Sequence, residues 1–306
     1  MTIQWYPGHM HKASKEIKAI LPQIDVLIEV LDARIPYSSQ NPMLAALRGD
    51  KPCIKVLTKS DLTDGERLQE WQDYLERERD TKTLALTFER PEKMRQLPEL
   101  CRHMVPGKAE SDKTIYCLIM GIPNVGKSTL INVLAGKRIA KTGNEPSITK
   151  MQQQIAIGQG IVLYDTPGVL WPKVENPYSG LRLAATGAIK DTAISHDQIA
   201  HFLAEFLLQQ YSANLQQRFQ FTELPANAET FLALVAAKRG CLRSGGNVDL
   251  DKVSKIILSE FRAGTLGSIC LETPAMIVEE LAELERVQEA KRLEKETRKQ
   301  RWKQSS

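Results

Sequence analysis

The sequence predicts an α/β fold, a mainly parallel sheet with flanking helices followed by a small all-α domain. Three observations lead there. Apolar runs of strand length at residues 26–31, 53–57, 83–87, 115–120 and 161–164 alternate with stretches of helical apolar spacing, the pattern of a parallel sheet joined by helices. Several runs stop abruptly at polar residues, Asp32, Thr58 and Asp165, and ligands of open α/β sheets collect at the carboxyl ends of strands. From about Asn176 onward only short amphipathic helices can be read.

Composition narrows the class. The chain has 306 residues, 42% hydrophobic and 25% charged, with a net charge of +4, an ordinary globular composition with room for about two domains. No apolar run is long enough to span a bilayer, and the opening Met-Thr-Ile-Gln-Trp-Tyr-Pro-Gly-His lacks the basic and apolar regions of a secretory signal. A cytoplasmic protein with no membrane partner is expected. Cys53, Cys101, Cys117, Cys241 and Cys270 are odd in number and form no C-x-x-C pair, so they read as small hydrophobes, not as disulfides or a zinc site.

In chain order, Trp5-Tyr6-Pro7-Gly8-His9-Met10-His11 forms a turn ahead of a helix marked by Met10, Ala13, Ile17 and Leu21. His9 and His11 do not share a helix face and have no further ligands nearby, which argues against a metal pair. The strand at 26–31 ends in Asp32-Ala33-Arg34 and a loop rich in Pro and Ser; a short helix at 43–47 leads to the strand at 53–57. That strand runs directly into Thr58-Lys59-Ser60-Asp61. A carboxylate such as Asp61 can accept from the N1–H and exocyclic amine of guanine, a donor pair adenine lacks, while the Lys59 stem can cover the purine face. Taken alone, the tetrad also reads as a helix N-cap region. A helix at 64–80 with Leu68, Trp71 and Leu75 inward, the strand at 83–87, whose closing Thr87 joins the nucleotide-binding set, and a helix at 94–104 follow.

Gly121-Ile122-Pro123-Asn124-Val125-Gly126-Lys127-Ser128-Thr129 has the spacing G-x-x-x-x-G-K-[ST] between an apolar strand and a helix start, the context a phosphate-binding loop requires. Successive N–H groups and the helix N-terminus face phosphate oxygens. Lys127 reaches the β- and γ-phosphates, and the Ser128 hydroxyl ligates Mg2+. Residues 142–150 have no apolar period and read as a mobile loop. The strand at 161–164 ends in Asp165-Thr166-Pro167-Gly168; Asp165 can hold Mg2+ through water, and the Gly168 N–H can meet the γ-phosphate.

Beyond this, Ser195 to Gln198 matches a capping box before Ile199, Leu203 and Leu207; Asn227 and Asp249 open two more amphipathic helices, ending at Gly240 and Gly264. Lys238, Arg239, Arg243, Lys252, Lys255 and Arg262 form either an RNA-facing surface or solvated helix faces. The tail holds Lys291, Arg292, Lys295, Arg298, Lys299, Arg301 and Lys303 with Trp302 among them, suited to phosphate contacts and base stacking, although a helix of alternating charge looks the same.

Together the 121–129, 165–168 and 58–61 motifs, with Thr149 as the switch threonine, look like the set of a translation-factor-type GTPase, but the base-reading tetrad precedes the phosphate loop. That order is a circular permutation, tolerated where the new termini are exposed. With Trp5-Tyr6-Pro7-Gly8-His9-Met10 and Asp32-Ala33-Arg34-Ile35-Pro36, the chain resembles the RbgA/YlqF family of ribosome-biogenesis GTPases through about residue 280. The resemblance implies a circularly permuted P-loop GTPase domain over 1–176, a helical RNA-binding domain over 177–282 and a basic helical or disordered tail over 283–306. It implies hydrolysis of GTP to GDP and phosphate, coupled to late maturation of the large ribosomal subunit, by a monomer whose partners are that subunit and its rRNA. Ser128, Thr149 and Asp165 then hold Mg2+, and Asn124 holds K+ or merely shapes the loop. The chain departs from the pattern at Thr58, where most GTPases have Asn, at Lys150, and at Val169, where a water-orienting Gln is absent. The resemblance points to His9, with Lys127 and Thr149, for catalysis; the other reading of His9 is a structural turn. A nucleotide-gated rRNA-binding scaffold with incidental hydrolysis, or another P-loop NTPase, remain as alternatives.

Overall fold

The computed structural model describes residues 15–139, 153–166, 174, 176–189 and 194–304, with residues 299–304 as backbone only. Its strands are β1 Val26–Asp32, β2 Cys53–Thr58, β3 Thr81–Ala85, β4 Ile115–Gly121, β5 Gln153–Gly158 and β6 Ile161–Asp165, forming one sheet in the order β3-β2-β1-β4-β6-β5. Every neighbouring pair is parallel except β5 with β6. Residues 15–20 are helical; the helices after them are α1 Pro42–Arg48, α2 Gly65–Leu75, α3 Pro91–Met94, α4 Gln96–Met104, α5 Pro106–Glu110, α6 Lys127–Ala135, α7 Pro177–Ala185, α8 His196–Gln210, α9 Ser212–Phe219, α10 Ala228–Lys238, α11 Leu250–Arg262 and α12 Pro274–Gln304.

β1 and β2 are buried at every position, as apolar strands are when helices cover both faces of a parallel sheet. Successive side chains alternate between those faces. Val26, Ile28 and Val30 join Ile54, Val56, Leu130 and Leu97 in a cluster that continues without a break into Leu203, Phe231 and Phe261 of the helical region. On the opposite face, Leu27 and Cys53 pack with Ile17 and Leu44, while Leu31 and Leu57 pack with Trp71, Leu75 and Ile277. Glu29 and Lys55 lie between those two clusters, both buried. β5 was not expected from the sequence. It is a mostly exposed antiparallel edge strand of Gln and Gly around a few apolar residues, which leaves too weak an alternation to read.

Side-chain caps open several of the helices. Asn41, Asp64, Asn176, Asn227 and Asp249 each accept a backbone N–H at a helix start, as N-caps do. Ser195 makes no side-chain cap to α8, so the expected capping box does not form. α12 passes through position 283 as one helix; the tail read from that point is its distal part. All five cysteines are buried and unpaired, and no helix among the described residues is long and apolar enough to cross a membrane.

The helical region is fastened to the sheet by charge as well as by packing. Arg182 on α7, 1% exposed, donates to the Glu280 carboxylate of α12, its Nη1 at 2.9 Å, and lies 3.7 Å from the Glu272 carboxylate. Glu272 in turn accepts the backbone N–H groups of Tyr37 and Ser38 at 2.7 and 3.1 Å. Removing one partner of such a buried set leaves the others uncompensated, at a cost of about 3–5 kcal/mol. Arg182→Ala should therefore lower the unfolding free energy measured in urea by that order, whereas Tyr178→Ala on the same helix, at a residue 51% exposed, should change it by less than about 0.5 kcal/mol.

Candidate nucleotide site

Parallel strands carry their polar ends to one edge of the sheet. Asp32 of β1 stands beside Thr58 of β2, and Asp165 of β6 is in register with Ile119 of β4, just before Gly121. β1 and β4 are neighbours from which the chain proceeds in opposite directions across the sheet, the crevice where open α/β sheets hold ligands.

The phosphate loop leaves β4 here and ends at the start of α6. Gly126 has φ +89°, and a Cβ on it would lie 2.4 Å from Cζ of Phe88, so both backbone and neighbour require glycine. Asn124 is also left-handed, at φ 62°, a conformation Asn tolerates better than most residues. The Lys127 ammonium, 6% exposed, is bonded to the Asp165 carboxylate and donates to the Thr166 carbonyl at 2.5 Å. Thr166 itself donates to Ile119 O at 3.0 Å, fastening the end of β6 to β4.

The base-reading tetrad is tied to this loop. The fully buried Thr58 hydroxyl shares its one proton between Leu31 O at 2.8 Å and Val125 O at 2.5 Å. Lys59, left-handed at φ 56°, donates through Nζ to Asp32 Oδ2 at 2.7 Å and to Asn124 O at 2.8 Å. Successive loop carbonyls are thus held by successive residues of the tetrad, and threonine in place of asparagine does not lose the tie. Ser60 N–H donates to Leu86 O at 3.1 Å, and the Asp61 side chain stands exposed at the rim. Thr87 accepts the Glu89 N–H at 3.2 Å, building the turn that brings the neighbouring Phe88 ring onto Gly126.

Asp32 is the charge centre of this edge. Its Oδ1 accepts Arg34 Nε at 2.9 Å and its Oδ2 accepts Arg34 Nη2 at 2.8 Å, beside Lys59. Burial alone would push its carboxyl up, but Arg34 and Lys59 overcome that and hold it well below the usual carboxylate range. Arg34 also lies over the Phe261 ring, 5.2 Å from its centroid. Asn124 Nδ2 donates to Gly187 O at 2.6 Å, and Arg262 donates to Ala185 O and Ala184 O, both at 2.9 Å. Arg262 therefore faces the protein, not an RNA surface. Arg239 and Arg218 share Glu260, Arg243 pairs with Asp249 and Lys255 with Asp251, so much of that basic set is locally engaged.

His9, Thr149, Lys150, Gly168 and Val169 lie outside the described residues. Among the described residues no group of three or more His, Cys, Asp or Glu could hold a metal. Mg2+ takes oxygen ligands and completes its shell with phosphates beside one or two carboxylates, so the Ser128 hydroxyl and the Asp165 carboxylate fit it as a donor set. A separate cavity of about 530 Å3, walled by Leu44, Arg48 and Leu284, opens over Glu29 and Lys55 on the face of α1 and touches none of these residues.

The sequence puts Asp32-Ala33-Arg34 at the functional edge but gives neither side chain a task there, and Phe88 and Gly187 carry no signal in it. An acid closing a buried strand beside a basic residue, as at Asp32-Ala33-Arg34, was the available signal. Because the folded pKa of Asp32 is depressed below 3.8, its stabilisation is present above about pH 4 and fades as the pH falls. Asp32→Asn should lower stability at pH 7 by about 3–5 kcal/mol, and its melting-temperature gap to wild type should narrow between pH 5 and pH 2. A constant gap would contradict the assignment.

The sequence profile of the family described as 50S ribosome-binding GTPase matches residues 116–234. Ribosome biogenesis GTPase A of Bacillus cereus is 40% identical over 296 residues, 94% of this chain and 100% of the relative. The protein of that name from Bacillus pumilus is 42% identical, across 90% of this chain and 99% of its own. Mitochondrial ribosome-associated GTPase 1 of Mus musculus is 32% identical, across 88% and 90%. Among solved structures, GDP-bound YlqF aligns with a TM-score of 0.60 at 22% identity, covering 85% of this chain and 99% of its own. GNP-bound YlqF from T. maritima aligns at 0.59 and 23%, covering 86% and 98%. At these identities the structural likeness speaks for the fold.

Proposed function

Since this chain belongs to the ribosome biogenesis GTPase A family, we propose that it is a GTPase acting as an assembly factor for the large ribosomal subunit, hydrolysing GTP to GDP and phosphate. The observation that carries the reading is the tie of Thr58 and Lys59 to the carbonyls of Val125 and Asn124, which makes one site of a guanine-type tetrad and a phosphate loop far apart in sequence.

In this reading the N–H groups of residues 121–129 and the Lys127 ammonium receive the phosphates. Asp61 accepts the two guanine donors, and the Lys59 stem covers the base, with Ser60 and Thr87 at its edge. Ser128, Asp165 and Thr149 would hold Mg2+, which when bound would supply positive charge against the phosphates. The Gly168 N–H meets the γ-phosphate. Water attacks phosphorus in line, the bond to the β–γ bridging oxygen breaks, and GDP leaves. Val169 cannot bond that water, and His9 orients it in the complex with the ribosomal particle. Asn124 presents Oδ1 to K+, because its Nδ2 is already committed to Gly187 O. Residues 1–176 act as the GTPase unit, 177–282 with the basic tail 283–306 as the rRNA-binding part, in a cytoplasmic monomer.

GTP turnover in K+ buffer, with and without large ribosomal subunits, checks the reading. Subunits should stimulate turnover by about 100-fold or more, and His9→Ala should abolish the stimulation while leaving GTP affinity within about twofold of wild type. Unchanged stimulation in that variant refutes the role of His9; no stimulation of the wild type refutes the coupling to assembly. Equal rates in Na+ and K+ would rule out the cation at Asn124.

A further inference from the structure

The segment 263–273, between α11 and α12, grips the base-reading loop. Ile269 N–H donates to Leu62 O at 2.8 Å, and the Ser268 hydroxyl to Asp61 O at 3.3 Å. Gly264, at φ +74°, comes so close that a Cβ there would lie 2.6 Å from Leu62 Cδ2. Two residues further along the loop, Asp64 Oδ2 accepts the Tyr211 hydroxyl at 2.8 Å, and that hydroxyl accepts Cys270 N–H at 3.0 Å. Leu271 N–H donates to Arg34 O at 2.8 Å. The exposed Asp61 carboxylate makes no hydrogen bond or ion pair among the described residues, so the course of its own backbone sets its aim. That backbone is held by Ser60 to Leu86, just past β3, on one side and by the 263–273 segment on the other.

We propose that the 263–273 segment of the helical region positions Asp61 and thereby sets selectivity for guanine, with Gly264 and Ser268 as positioning residues. The proposal rests on the reading of Asp61 as the base-reading carboxylate. Because the base is common to GTP and GDP, coupling through this segment changes the affinity of both nucleotides alike. By reciprocity, a macromolecule that engages the helical region feels the presence of the base through the same contacts. Coupling through a phosphate-sensing loop would instead separate GTP from GDP.

Inosine diphosphate keeps N1–H but lacks the exocyclic amine, and so isolates the Asp61 hydrogen bond to that amine. The experiment measures GDP and IDP affinities by calorimetry for wild type, Gly264→Ala, Gly264→Ala with Leu62→Ala, and Ser268→Ala, with thermal melts on the same samples. Wild type should prefer GDP by about tenfold or more, the effect of one hydrogen bond to a charged group. In Gly264→Ala, where the new methyl displaces Leu62, the preference should fall below about threefold, and removing the Leu62 side chain should restore part of it. Ser268→Ala, at an exposed residue that leaves the fold undisturbed, should lower the preference about twofold if Gly264→Ala does not fold. A wild-type preference retained in both folded variants, or in Ser268→Ala where Gly264→Ala does not fold, overturns the proposal. A wild type that does not distinguish GDP from IDP overturns the reading of Asp61 itself.

Discussion

Two carbonyls of the phosphate loop, those of Asn124 and Val125, turn into the protein, and buried carbonyls must find donors. Thr58 and Lys59 supply them. Much else in the nucleotide half depends on this pair of bonds. They hold the loop in the left-handed course that Asn124 and Gly126 allow, they place the 58–61 tetrad against the 121–129 loop, and they draw in Asp32, which neutralises Lys59 and anchors Arg34. Backbone strain of this kind persists only where surrounding bonds fix it.

The same edge of the sheet is joined to the helical region at several independent points. Asn124 reaches Gly187, Arg34 reaches Arg262 O at 3.5 Å and stacks on Phe261, and Leu62 receives Ile269. Arg182, Glu272 and Glu280 close the opposite flank. Buried ion pairs add little net stability over apolar packing, but they are costly to break, so they fix how the two parts sit. The crevice at the strand ends is thus bounded on one side by the helical region.

Much of this was legible in the sequence, for physical reasons. Strands covered on both faces are apolar at nearly every position, Glu29 and Lys55 being the exceptions, which makes 26–31, 53–57 and 115–120 readable. The 121–129 loop and the 58–61 tetrad are local strings, so both stand out in the sequence before any fold is known. What could not be read was contact between distant segments. Arg262 looked like one more exposed basic residue, yet the carbonyls at the end of α7 claim it. Thr58 looked like a loss relative to asparagine until Val125 O was seen within reach of its hydroxyl. The edge strand β5 carries no strong pattern because solvent bathes most of it. The grip of 263–273 on Leu62 joins residues about two hundred positions apart, beyond any local periodicity.

The most direct measurement is GDP affinity of Thr58→Val, which keeps the side-chain shape and removes only the hydroxyl that joins tetrad to loop. If that bond organises the site, GDP binding should weaken by about tenfold or more, the cost of one buried acceptor left without its donor, with the protein still folded at 25 °C. GDP affinity equal to wild type would contradict it, and would mean that the phosphate loop holds its shape without the base-reading strand.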